Sequence, residues 1–173
     1  MRIYLIGYSY SGKTTIGKKL AKLLDYNFFD TDKAIEIKYH TTIPLLFKRY
    51  GEKAFRIIES QILHTTGEMK DTVISTGGGT PCNDANIQFI LEHGTAVHLQ
   101  MSVDDIMQRI SHSRKGRPSL DGMNTNEQHT FITNQLEQRL PYYRQAHIEI
   151  PALNLDAEKI VEVLSQLRSE NIS

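Results

Sequence analysis

Gly7-Tyr8-Ser9-Tyr10-Ser11-Gly12-Lys13-Thr14 follows the run Ile3-Tyr4-Leu5-Ile6 directly and precedes a stretch where Ile16, Leu20, Leu23 and Leu24 recur at helical spacing. The eight residues match G-x-x-x-x-G-K-[ST], a turn that joins a buried strand to the first turn of a helix. The physical reason for the pattern is anion binding. Glycines let backbone N–H groups turn inward around phosphate oxygens, and the helix start adds the positive end of its dipole. Lys13 is expected to bring charge to the β- and γ-phosphates, and Thr14 to place a hydroxyl on Mg²⁺.

That strand–turn–helix unit has to belong to a larger sheet, and the rest of the chain supplies one. Phe28-Phe29, Thr72-Val73-Ile74-Ser75, Ala96-Val97-His98-Leu99 and Ile148-Glu149-Ile150 read as four more short strands, mostly β-branched or aromatic. Phe55, Ile58, Ile62 and Leu63 form a second helical stripe, and both stripes are expected to pack against the sheet. Ser102 before Val103-Asp104-Asp105, and Asp156 before Ala157-Glu158, look like N-caps of helices that follow strands. The alternation predicts a three-layer α/β/α domain with a parallel sheet. The length of 173 residues suits one domain spanning 1–173.

Composition narrows the function classes. The formal net charge is zero, so bulk electrostatics suggest neither a nucleic-acid partner nor an acidic membrane surface. The apolar run after Met1 is far shorter than a signal-peptide core, and no later stretch reaches membrane-spanning length, so a cytoplasmic location is expected. The single cysteine, Cys82, agrees with a reducing compartment and reads as a small apolar filler rather than a reactive thiol. The seven histidines are scattered and read as surface or boundary residues, with no ligand cluster.

Several polar features then stand at the carboxyl ends of the strands, where open parallel sheets collect ligands. Asp30 and Asp32 follow the second strand; they point the same way if the chain stays extended and diverge if a helix begins at Thr31. Either acid is also a plausible helix cap. Gly77-Gly78-Gly79 follows the third strand and removes side chains where a ligand or a neighbouring chain must come close, which suits the floor of an acceptor site. Arg56, with Glu59 one turn later to orient it, and Arg139 near the end of another helix form an anion clamp if both reach that floor. Residues 112–124 are polar and aperiodic, and read either as a lid carrying Arg117 toward the γ-phosphate or as a flexible connection with a small basic patch.

Taken together, the motif at 7–14, Asp30-Thr31-Asp32, Gly51-Glu52 leading to Phe55-Arg56-Ile57-Ile58-Glu59, Gly77-Gly78-Gly79, Arg117-Pro118 and Arg139-Leu140-Pro141-Tyr142-Tyr143 resemble the shikimate kinase family in order and spacing. The resemblance runs from Arg2 to about Arg168. It implies an NMP-kinase-like P-loop fold with a five-stranded parallel sheet and a lid. The implied reaction is ATP- and Mg²⁺-dependent phosphorylation of the shikimate 3-hydroxyl, a step toward chorismate and the aromatic amino acids. Lys13, Asp32 and Arg117 are the implied catalytic residues, and Asp32, Arg56, Gly77, Gly78, Gly79 and Arg139 the implied shikimate contacts. Ser9, Ser11, Gly12, Lys13, Thr14, Thr15, Arg109, Arg117 and Asn154 are the implied nucleotide contacts, with Thr14 and Asp30 on the metal side. A monomer is expected.

Two positions depart from the family pattern. Tyr10 stands where the family usually has glycine, and is expected to force a different loop conformation or to crowd the phosphate entrance. Ile110 stands where an arginine often helps to cover adenine, so weakened or altered ATP binding is expected. Two competing readings share the phosphate loop: a kinase for another small acceptor such as gluconate, and a degenerate relative that senses a metabolite or nucleotide without turnover.

Overall fold

In a computed structural model that describes residues 1–113 and 120–170, the chain builds the three-layer α/β/α arrangement expected from the alternation. Five strands are described: β1 (Arg2–Ile6), β2 (Asn27–Asp30), β3 (Thr72–Ser75), β4 (Thr95–Gln100) and β5 (Ile148–Pro151). Their order across the sheet is β2-β3-β1-β4-β5, with every pairing parallel. Leu5 lies opposite Ser75 on one side and Val97 on the other. This register brings the carboxyl ends of β2, β3 and β1 side by side. The three loops singled out in the sequence leave from those ends.

Strand alternation divides the core. Ile3 and Leu5 face one layer, where they meet Ile16 and Leu20 of α1 (Lys13–Leu24) and Ile160 and Leu164 of α7 (Ala157–Glu170). Tyr4 and Ile6 face the other, where they meet Leu63 of α3 (Ile43–His64), Ile87 and Ile90 of α4 (Asp84–His93), Ile106 of α5 (Val103–Ser111) and Ile132 of α6 (Thr125–Tyr143). Ser102 caps α5 by accepting from the Asp105 N–H at 3.1 Å, as its sequence suggests.

The helical stripes are less simple than the spacing implies. Leu23 is 50 % exposed, one residue before α1 ends at Leu24, whereas Ile16 and Leu20 earlier in the same stripe are buried. Phe55 and Ile62 pack mainly on Ile35 of α2 (Thr31–Tyr39) and Leu46 at the start of α3, and only Leu63 joins the sheet-facing core. The cause is a break in α3 at Gly51, whose φ of 76° and ψ of 171° belong to a region open essentially to glycine alone. The first segment, 43–50, thereby turns back over the second, 52–64, and a small satellite core forms beneath the pair. Among the described residues no helix is long and apolar enough to cross a membrane.

Candidate active site

β1 ends at Ile6, and α1 begins at Lys13 after Gly12 passes through a φ of 91°. The Lys13 ammonium is buried within the loop and donates to the carbonyls of Gly7 and Tyr8, both at 2.8 Å. Burial lowers its pKa to about 8, against the opposing pull of the Asp32 and Asp30 carboxylates. A desolvated cation at a helix start, ringed by inward-turned backbone, is an anion site waiting for phosphate oxygens.

Tyr10 corrects an expectation. Instead of avoiding the left-handed region it adopts a φ of 69° there, at a cost on the order of 1 kcal/mol for a bulky residue. Its carbonyl accepts from the Arg109 guanidinium at 2.8 Å, and the other arm of Arg109 donates to the Ala152 carbonyl at 3.1 Å. Arg109 so ties the loop to the turn after β5. A cleft of about 260 Å³ opens here, lined by Ser11, Gly12, Thr15, Lys19, Leu99, Arg109, Ala152 and Leu155. Asn154 is not part of that lining: it is exposed and left-handed, at φ 53°. Ile110 packs partly buried among the apolar residues on the α5–α6 side.

On β2 the choice between parallel and divergent acids is resolved by the start of α2 at Thr31. Asp30 caps that helix by accepting from the Lys33 N–H at 3.1 Å, while its second oxygen accepts from the Thr14 hydroxyl at 2.7 Å. Asp32 turns the other way, toward the glycine floor. Among the described residues no group of three or more His, Cys, Asp or Glu side chains could hold a metal. Thr14 with Asp30 is instead the sparse donor set that suits Mg²⁺, whose octahedron is completed largely by phosphate oxygens and water.

The three glycines each make room for a different group. A Cβ on Gly77 would lie 2.5 Å from the Asp32 carboxylate, one on Gly78 3.0 Å from the Ser9 nitrogen, and one on Gly79 2.5 Å from the Arg56 guanidinium. The floor is held from beneath. Buried Thr31 accepts from the Gly77 N–H at 3.0 Å, and Tyr143 donates to the Gly78 carbonyl at 2.5 Å.

Arg56 and Arg139 both reach this floor, from α3 and α6 respectively. Arg56 donates to Glu59 at 2.6 Å and to Glu52 at 3.1 Å. Glu59, almost fully buried, also accepts from Thr80 at 2.7 Å, so it fixes the guanidinium to the floor. A cavity of about 470 Å³ lies between, lined by Asp32, Arg56, Arg139 and the three glycines on its polar side. Ile43, Pro44, Phe47, Phe55 and Phe131 make the apolar side. Within it, burial and the charges of Glu59 and Asp30 raise the Asp32 carboxyl to about 7. A basic carboxylate, two guanidiniums and an apolar wall at the edge of a phosphate loop can hold a carboxylated ring and receive its hydroxyl proton.

Comparison with known proteins decides the family. The family described as "Shikimate kinase" matches residues 10–168. The shikimate kinase of Parabacteroides distasonis is 42% identical over 160 residues, covering 92% of this chain and 90% of its own. The chain belongs to the shikimate kinase family. The crystal structure of the Bacteroides thetaiotaomicron shikimate kinase superposes with a TM-score of 0.89 at 38% identity, covering 98% of both chains. The Acinetobacter baumannii shikimate kinase, solved in complex with shikimate, gives a TM-score of 0.86 at 35% identity over 98% of this chain and 93% of its own. A gluconokinase from Sinorhizobium meliloti shares the fold, with a TM-score of 0.59 at 16% identity over 93% of this chain and 87% of its own.

Within this shikimate kinase scaffold, Lys13, Thr14 and Asp30 converge at the phosphate loop, and Asp32, Arg56, Gly77, Gly78, Gly79 and Arg139 converge at the adjoining cavity. Ser9 lines the cavity above the glycine floor and is not part of the lining of the cleft beside Arg109. Arg117, with most of the expected lid, lies outside the described residues. Cys82 donates to the Gly78 carbonyl at 3.6 Å, and burial pushes its thiol up to about 11, which leaves little nucleophilic thiolate at neutral pH. His98 is a further correction, being 4% exposed under Gly7 rather than at a boundary, and burial keeps it neutral with a pKa of about 4.

Residue-by-residue reading overlooked the apolar wall of Ile43, Pro44, Phe47 and Phe131, and also Gln135 and Thr80. Phe47 lies in a helix segment whose direction depends on Gly51, so spacing alone gave no sign that it returns to the site. Gly51-Glu52 just ahead of Phe55-Arg56 was the available signal.

Proposed function

We propose that this chain transfers the γ-phosphoryl group of ATP to the 3-hydroxyl of shikimate. One observation carries the reading: Arg56 and Arg139 meet Asp32 across the glycine floor in a single cavity that opens beside the Lys13 loop. The guanidiniums fit a carboxylate, and Asp32 fits a hydroxyl presented to the phosphate. The wall of Phe47, Phe55 and Pro44 favours a ring with apolar faces over an open-chain polyol such as gluconate, whose hydroxyls that wall would leave unpaired.

In the transfer, the acceptor oxygen bonds to the γ-phosphorus while the bond to the β,γ-bridging oxygen breaks, and ADP leaves with that electron pair. The hydroxyl proton passes to the Asp32 carboxylate. Lys13 neutralises charge on the phosphates, and Thr14 and Asp30 would hold a hydrated Mg²⁺, which would supply further positive charge to the transferring phosphoryl group. Arg56 and Arg139 fix the acceptor so that only one hydroxyl faces Asp32. Arg117 is retained on sequence grounds as the source of transition-state charge.

Arg139→Ala tests the acceptor assignment. Losing a charge-assisted pair should raise KM for shikimate by about 10- to 100-fold and leave KM for ATP within about twofold. An equal rise in both would remove Arg139 from the acceptor clamp.

A further inference from the structure

The two arginines of the clamp are held by different chemistry. Arg56 spends donors on Glu59 and Glu52, and its charge is largely compensated. Arg139 forms no ion pair among the described residues. Its guanidinium carbon lies instead 5.3 Å from the centroid of the Tyr8 ring, within cation–π range. Tyr8 is 2% exposed, and its hydroxyl donates to Gln135 at 2.7 Å, one turn before Arg139 on α6. The ring is thus fixed by its tip and presents a face to the cation.

Seating a guanidinium on a π-face has a consequence that an ion pair lacks. It fixes the plane while leaving charge and N–H donors for an incoming anion, because the ring quadrupole offers no competing acceptor oxygen. The backbone of the same residue belongs to the phosphate loop, where the Tyr8 carbonyl accepts from Lys13 at 2.8 Å. One residue therefore touches both half-sites.

We infer that Tyr8, the second residue of the phosphate loop, is a positioning residue for the acceptor: its ring presets Arg139 for the acceptor carboxylate. The inference rests on the acceptor reading given above. It makes the phosphate loop part of the acceptor-recognition apparatus through a side chain that the G-x-x-x-x-G-K-[ST] pattern leaves unspecified.

The test uses the whole protein with MgATP and shikimate. Tyr8→Phe, which keeps the ring, should hold KM for shikimate within about threefold of the original. Tyr8→Leu should raise it about tenfold, with KM for ATP nearly unchanged. In an Arg139→Ala background, Tyr8→Leu should add less than about twofold. A rise in KM for ATP matching that for shikimate, or the full tenfold persisting without Arg139, overturns the inference.

If Tyr8→Leu folds poorly, successively fluorinated phenylalanines at position 8 keep the shape and weaken the quadrupole. KM for shikimate should then climb with each fluorine, by about five- to tenfold across the series, and a flat series overturns the inference. Wild-type turnover of shikimate is read in the same assay. Failure of the acceptor reading would show there, separately from failure of the Tyr8 assignment.

Discussion

Asp32 is the residue whose environment differs most in consequence from that of its neighbours. Asp30, two positions earlier, has a helix N–H and the Thr14 hydroxyl to accept from, whereas Asp32 faces the buried Glu59 carboxylate. Raised from 3.8 to about 7, Asp32 binds a proton in the folded chain over a range where the unfolded chain has lost it. Stability associated with this group is therefore present below pH 4 and is lost as pH rises to about 7, so it opposes folding at the pH where the carboxylate is useful. Asp32→Asn should make the protein more resistant to urea at pH 8 than the original, with the advantage shrinking toward pH 4. The wild-type kcat/KM for shikimate should climb through an acid limb near pH 7, and Glu59→Gln should move that limb to lower pH. A limb that stays in place in Glu59→Gln would show that the charge of Glu59 does not set the basicity of Asp32.

At the scale of elements, the site depends on α3 changing direction. Gly51 has open space where a Cβ would stand, so the cost of Gly51→Ala is purely one of backbone conformation, about 2 kcal/mol. The expected result is a lower urea midpoint together with a raised KM for shikimate, since segment 43–50 carries Ile43, Pro44 and Phe47 to the cavity. An unchanged KM would mean that this wall does not touch the acceptor. The same break explains what the sequence could and could not convey. The strands were legible as apolar runs because burial on both faces of a parallel sheet leaves a dense local mark, and Thr72–Ser75, buried throughout, is found where the pattern puts it. The partner of the Phe55 stripe was not legible, because a helix stripe says which face is apolar but not whether a sheet or another helix covers it.

For the whole molecule, the strand order β2-β3-β1 is what turns scattered motifs into a site, since it sets Asp32, the glycine floor and the Lys13 loop at neighbouring strand ends. Residues whose job is set by local chain geometry could be found from spacing: Lys13 at a helix start and Glu59 three residues after Arg56 are of this kind. Contacts made across the fold could not. Nothing in the motif around Tyr8 says that Arg139, 131 positions later by number, will lie over its ring. Tyr10 is the converse case: its identity argued against a left-handed loop, and the surrounding bonds, including the Arg109 contact, hold it there nonetheless. The central claim is the match between one cavity and one acceptor. Its most direct measurement is ADP release by the purified protein with MgATP and, in parallel, shikimate, gluconate or nucleoside monophosphates. The account predicts a kcat/KM for shikimate at least about a thousandfold above the others, the scale of discrimination reached when buried polar groups are paired by one ligand and left unpaired by the rest. Equal or greater turnover of gluconate or a nucleoside monophosphate, or no turnover of shikimate, would contradict it.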